Sequence, residues 1–179
     1  PDIQPSNSTK NVYDLLINVK EKSTDSINFG GGWGQRSGGV FYTDLNMNNF
    51  LGTGQLIALR GQWGGRNQTY QFKYHNPWMF GPRKSFTFRA WNSRGNMGYN
   101  NMFSSGYRPE MRYGADMSIG LPHSYELRSI HKVRVEKVSV DSTSSSSALD
   151  YSVQRYTYSI IYDTRDIVFN PLNGAYYIG

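Results

Sequence analysis

His75, His123 and His131, the cluster Asp163, Arg165 and Asp166, and the glycine-rich run from Gly30 to Gly34 are the residues of this chain whose types could do chemistry. The histidines fall on a strand, a turn and another strand without the spacing of a metal site, so they are expected at a surface or in a lumen with no metal bound. The Asp-Arg-Asp cluster is expected to hold a turn by side-chain hydrogen bonds rather than to act as acid or base. The glycines lack the Lys-Ser or Lys-Thr that completes a phosphate-binding loop. No catalytic residue, cofactor or metal is therefore expected. What remains is the chemistry of the backbone itself: an unpaired strand edge, whose N–H and C=O groups can bind another strand.

The stretch best suited to that is Ser26, Ile27, Asn28, Phe29, Gly30, Gly31, Gly32, Trp33 and Gly34. As a strand it puts Ile27, Phe29, Gly31 and Trp33 on one face and Asn28, Gly30, Gly32 and Gly34 on the other, so one side is apolar and the other nearly bare. Interior glycine weakens a strand through backbone entropy and missing side-chain contacts. A glycine corner needed for curvature accounts for the same residues. The functional alternative is a first strand that opens easily at its edge.

The elements that must position this strand are bounded by composition. The chain has 179 residues, with 14 Tyr, 9 Phe, 4 Trp and 19 Gly, yet its mean hydropathy is -0.61. It contains no run of about 18 apolar residues, so a membrane helix is excluded. A membrane barrel is not, because strands that alternate lipid-facing and lumen-facing residues average out as hydrophilic. The net charge of +6 suits acidic partners such as nucleic acid, anionic lipid or lipopolysaccharide. The absence of Cys removes disulfides and thiolate metal sites from consideration.

Residues 1–22 end in VYDLLINVKEK, which reads as a strand of a small soluble module. From Ser26 the chain becomes a series of alternating segments: 39–47, 55–63, 70–75, 86–90, 110–119, 126–140 and 155–163, with a further one starting at Ala175. The alternation of 126–140 is irregular, which predicts a bulge. Asn92 to Arg108 reads as a long polar loop and Asp141 to Asp150 as a low-complexity one. Arg60, Lys73, Arg89, Glu110, Arg112, Asp116 and Arg155 all fall on the face opposite the aromatic and aliphatic residues. A single-strand stacking platform needs basic residues and aromatics on one face, so nucleic acid is not an expected partner.

That partition fits a soluble sandwich or, inverted, a membrane barrel. Strands of about ten residues suit an inclined membrane crossing. Longer loops at one end and Pro-containing turns (Pro77, Pro82, Pro122, Pro171) at the other also favour the barrel. The fold expected is all-β: an antiparallel up-and-down transmembrane β-barrel of about eight strands. In it the seven charged residues line the lumen. A charge on the lipid face near mid-bilayer would cost roughly 2–4 kcal/mol, and the regular strands carry none there.

Four segments in collinear order, NVKEKSTDSINFGGGWG, NNFLGTG, YHNPW and YDTRDIVFNPLNG, give the chain a resemblance to the BamA family of outer-membrane β-barrel assembly factors, also called the bacterial surface antigen family. The resemblance covers nearly the whole chain. It implies that residues 1–22 end a periplasmic POTRA-like module and that 23–179 are the first strands of a barrel of about sixteen. It implies that Ser26 to Gly34 is a weakly paired first strand, a lateral gate that templates incoming strands by β-augmentation. The partners it implies are unfolded β-barrel substrates, outer-membrane lipid or lipopolysaccharide, and accessory assembly proteins or a second copy. The location it implies is the outer membrane of a diderm bacterium, with an organelle outer membrane as the alternative. The alternative functions are a passive pore, a protein-secretion barrel of the same superfamily, or a structural barrel. The chain matches the first half of such a barrel and is expected to be a piece of a longer protein; the alternative is a short relative that closes alone or by dimerising.

Overall fold

The computed structural model describes residues 2–5, 13–16, 25–35, 38–64, 67–100, 105–142, 147–166 and 171–179. Every regular element among them is a strand. β1 (Asp2–Pro5) and β2 (Tyr13–Leu16) pair antiparallel as a two-stranded sheet of their own. The remaining strands are β3 (Ser26–Gly34), β4 (Gly38–Phe50), β5 (Gln55–Gly64), β6 (Gln68–Asn76), β7 (Ser85–Asn100), β8 (Ser105–Pro122), β9 (Leu127–Val140), β10 (Leu149–Asp163) and β11 (Tyr176–Ile178). They form one nine-stranded antiparallel meander in strict chain order, open at β3 and at β11. The KEK segment expected to close the N-terminal module lies outside the described residues.

The meander follows from local chemistry. Alternating aromatic, aliphatic and polar residues suit a pleated ribbon with two different sides, and three of the described turns have a fixing group of their own. In the 49–54 turn the Asn49 side-chain oxygen accepts the Gly54 N–H at 2.6 Å. There Leu51, Gly52 and Gly54 have positive φ, a conformation that glycine adopts at no steric cost. In HNPW the Asn76 side chain accepts the Trp78 N–H at 2.9 Å. In the last turn Arg165 donates to Asp163, and Asp166 accepts the Leu172 N–H at 3.0 Å. Asp163, Arg165 and Asp166 thus do hold a turn. The hydrogen bond to Asp163 also raises the Arg165 pKa above its usual value.

Two expectations need correcting. The polar stretch 92–108 is not a long loop: β7 runs to Asn100 and β8 begins at Ser105, paired from Asn92↔Tyr113 out to Asn100↔Ser105. No bulge interrupts 126–140, whose register with β8 and β10 is unbroken. The irregular alternation is a reversal of polarity instead, with Lys137 and Ser139 on the face that carries Val133 and Val135, and Val138 and Val140 on the other. The described register shift lies in β4, between Met47 and Phe50.

Register also fixes the strand tilt. The ladder row through Gly30 runs by way of Tyr42, Gln62, Thr69, Ser93, Arg112 and Val138 to Tyr151. On β3 the apolar band spans Ile27 to Trp33, centred on Gly30. On β10 it spans Tyr156 to Tyr162, centred on Ser159, eight residues beyond Tyr151. At about 3.3 Å per residue and 4.8 Å per strand, a slide of eight residues over seven strand steps corresponds to strands inclined by about 40° to the normal of the band. Membrane barrels have this inclination.

Candidate functional site

β3 hydrogen-bonds to β4 along its whole length, from Ser26↔Asn46 to Gly34↔Gly38, and to no other described strand. Ile27, Phe29 and Trp33 are 68%, 74% and 83% exposed. On the opposite face Tyr42 lies across Gly30, so that a Cβ there would fall 2.6 Å from the tyrosine oxygen, while Gly32 faces open space. The stretch singled out from the sequence, Ser26 to Gly34, is therefore one element, at the sheet's margin, and held from one side.

The other residues singled out share a face. The register puts Lys73 opposite Arg89, Arg89 opposite Asp116, Asp116 opposite Arg134, and Arg134 opposite Arg155. Arg60 and Arg112 lie one and two rows away on the same side, and Glu110 a row further. The sheet curls around this face: Asp44, Arg60, Lys73, Arg89, Trp91 and Arg134, from five strands, line one cavity of about 280 Å³. Asp116 is 2% exposed. Arg89 donates to it through two nitrogens at 2.9 and 2.7 Å, and Lys132 and Arg134 approach to 3.6 and 3.8 Å. Arg60 donates to Asp44 at 2.6 Å, and Arg112 pairs with Glu110.

Trp91 of β7 shows how tight the curl is. Its indole spans β8 to donate to Glu136 of β9 at 3.3 Å, with the Arg134 guanidinium 4.4 Å above its ring. It can do so only because Gly114 lies beneath it. A Cβ at Gly114 would sit 2.9 Å from both the Trp91 ring and the Glu136 Cα. Gly114→Ala is accordingly expected to destabilise the folded barrel by about 1–3 kcal/mol, since backbone on one side and a packed ring on the other leave nothing free to move. A urea midpoint lowered against wild type checks it, and Gly32→Ala, in open space, should shift it far less.

The outward face is the greasy one. Tyr70, Tyr113, Tyr158 and Val135 are 44%, 43%, 49% and 51% exposed, and Phe72, Phe86 and Phe88 are half-buried. The aromatics are thus not gathered into a dry centre, and the charged face holds the most deeply buried ions. Trp63 folds over Gly61 and donates to the Tyr70 hydroxyl at 2.8 Å, satisfying its N–H without water.

Sequence reasoning scattered the histidines, but folding joins two of them. The turn after β8 returns His123 over the wholly buried Ser129, whose hydroxyl lies 2.7 Å from His123 Nε2 and 3.2 Å from His131 Nε2. Nδ1 of His131 meets the Tyr156 hydroxyl at 2.7 Å. His75 stands apart on the inner face, hydrogen-bonded to Thr87. No local spacing signals the pair, because it is made by the Leu121↔Ser129 register.

Comparison with known proteins places this geometry. The Omp85 superfamily domain matches residues 49–177. A candidate outer membrane protein assembly factor of Treponema pallidum (strain Nichols) is 30% identical over 133 residues, which is 72% of this chain and 14% of the relative. The crystal structure of BamA from Haemophilus ducreyi lacking POTRA domains 1–3 superposes with a TM-score of 0.59 at 18% identity, covering 99% of this chain and 37% of that one. The chain thus spans well under half the length of the proteins it matches.

Proposed function

The chain belongs to the Omp85 superfamily, and on that premise we propose that it supplies the first strands of an outer-membrane barrel that folds and inserts other β-barrel proteins. The observation that carries this reading is the make-up of β3, a first strand paired to β4 whose inner side is nearly bare glycine, with open space over Gly32. In hydrocarbon an unpaired N–H or C=O costs several kcal/mol, so a strand that lacks a partner gains that energy by accepting one. The same row of groups that makes an exposed edge a hazard in water makes it a template in lipid. Bare glycines on its inner side let the closing strand of the complete barrel leave at small cost in packing. No covalent bond is made or broken.

The surroundings fit the role. The slanting apolar band meets the lipid of a diderm outer membrane, lipopolysaccharide included, and the charged face lines the lumen. Residues 1–22 form the end of a periplasmic POTRA-like module, which delivers unfolded barrel chains and docks accessory assembly proteins.

The test is in the complete protein. Its depletion should leave other outer-membrane barrels unfolded in the periplasm. A disulfide between a cysteine at Phe29 and one in the strand that closes the barrel should reproduce the defect, with reduction reversing it. Correct insertion of other barrels during depletion would refute assembly and favour a passive pore or secretion barrel. Full activity of the oxidised, locked protein would refute β3 as the working edge.

A further inference from the structure

The inner face carries like charges in direct opposition, which a sheet avoids unless something lies between them. Lys73 faces Arg89, and Arg134 faces Arg155, as immediate cross-strand partners. Such pairs repel. One carboxylate, Asp116, stands in the row, and it is already shared by Arg89, Lys132 and Arg134. Among the described residues neither Lys73 nor Arg155 has a carboxylate within ion-pair distance, and both are exposed on the curled face. At Lys73 the row opens into the cavity of about 280 Å³ shared by Arg60, Arg89 and Arg134.

We infer that this wall binds acidic polypeptide: Asp- or Glu-bearing segments of an incoming chain lie across β6 to β10 while its strands pair at β3. The inference rests on the assembly reading and names the class of segment that the same lumen would hold. Polypeptide fits better than a small anion because the unneutralised positions, Lys73 and Arg155, are four strand spacings apart, about 19 Å. No single phosphate or carboxylate spans that, whereas an extended chain presents a carboxylate on one side about every 7 Å. Lipid headgroups are excluded by geometry, since the row is on the face away from the apolar band. Both ends are long, flexible cations that reach an anion without moving the backbone.

The experiment uses the complete protein in liposomes and two labelled extended peptides, identical except that one carries Asp at alternate positions and the other Asn. The Asp peptide should bind at least about tenfold more tightly at low salt, and the gap should close as salt screens it. Lys73→Gln with Arg155→Gln should weaken the Asp peptide about tenfold in a protein whose heat-modifiable gel mobility is native. Equal binding of the two peptides, or full binding by the folded double variant, would overturn the inference. So would binding of inorganic polyphosphate without binding of the Asp peptide. If the double variant misfolds, the salt titration of the unmodified protein with the two peptides decides. Peptide binding does not require insertion activity: failure here with an intact depletion defect sinks only this inference, and the converse sinks only the assembly function.

Discussion

Asp116→Ala in the complete protein is expected to cost about 3 kcal/mol of barrel stability. Asp116 is the one carboxylate serving Arg89, Lys132 and Arg134, and at 2% exposure it lies deeper than any of them. Removing one member of a buried charge network typically costs 3–5 kcal/mol, because the partners are left uncompensated. The value belongs at the lower end, since the three cations keep 31–42% of their side-chain exposure and regain some water. Unfolding in urea followed by tryptophan fluorescence measures it. The cause is checked by the pair: Asp116→Leu with Arg89→Leu should be less destabilising than Asp116→Leu alone. If the double variant is as unstable as the sum of the singles, the carboxylate is not acting through Arg89.

Val133→Arg is expected to be as damaging, by about 2–4 kcal/mol, for the opposite reason. Val133 lies within the outward band, between Met117 on β8 and Tyr156 on β10. No carboxylate pairs with a described residue on that side. An arginine there must hold its charge in hydrocarbon or drag water and headgroups inward. Thr157→Arg, on the lumen side of the neighbouring strand, should change stability by less than about 1 kcal/mol. Folding into lipid vesicles of both variants measures the difference. Equal effects would mean that the two faces meet the same solvent.

Most of the sheet could be read from the period of its side chains, and the failures share one cause. Alternation reports a strand only where its two faces meet different surroundings. Between Tyr70 and Tyr74, or Met111 and Ile119, lipid lies on one side and a charged lumen on the other, so the pattern is sharp. Beyond Ala90 the outer residues are Asn92 and Arg94 and the inner one is Ser93. Both sides are wet, the pattern vanishes, and a paired strand resembles a loop. In β9 the pattern inverts: outside the band Lys137 and Ser139 turn outward, while Val138 and Val140, 1% and 7% exposed, pack inside next to Glu110 and Arg112. That inversion marks where the strand leaves the membrane. The candidate edge was legible because glycine content is local. The charge row was legible as a face, but not as a sequence of opposed cations. That needs the register, which is set by hairpins far apart in the chain.

The reading of both faces stands or falls on which one touches lipid. The chain has no cysteine, so single cysteines at Phe72, Val135 and Tyr158, and at Lys73, Arg134 and Arg155, can be labelled one at a time in the complete, membrane-inserted protein carrying no other cysteine. Fluorophores at the first three should be quenched by brominated lipid and be shielded from aqueous iodide; those at the second three should show the reverse. Iodide quenching at Phe72, Val135 and Tyr158, with lipid quenching at Lys73, Arg134 and Arg155, would contradict the membrane barrel and the strand-templating edge with it.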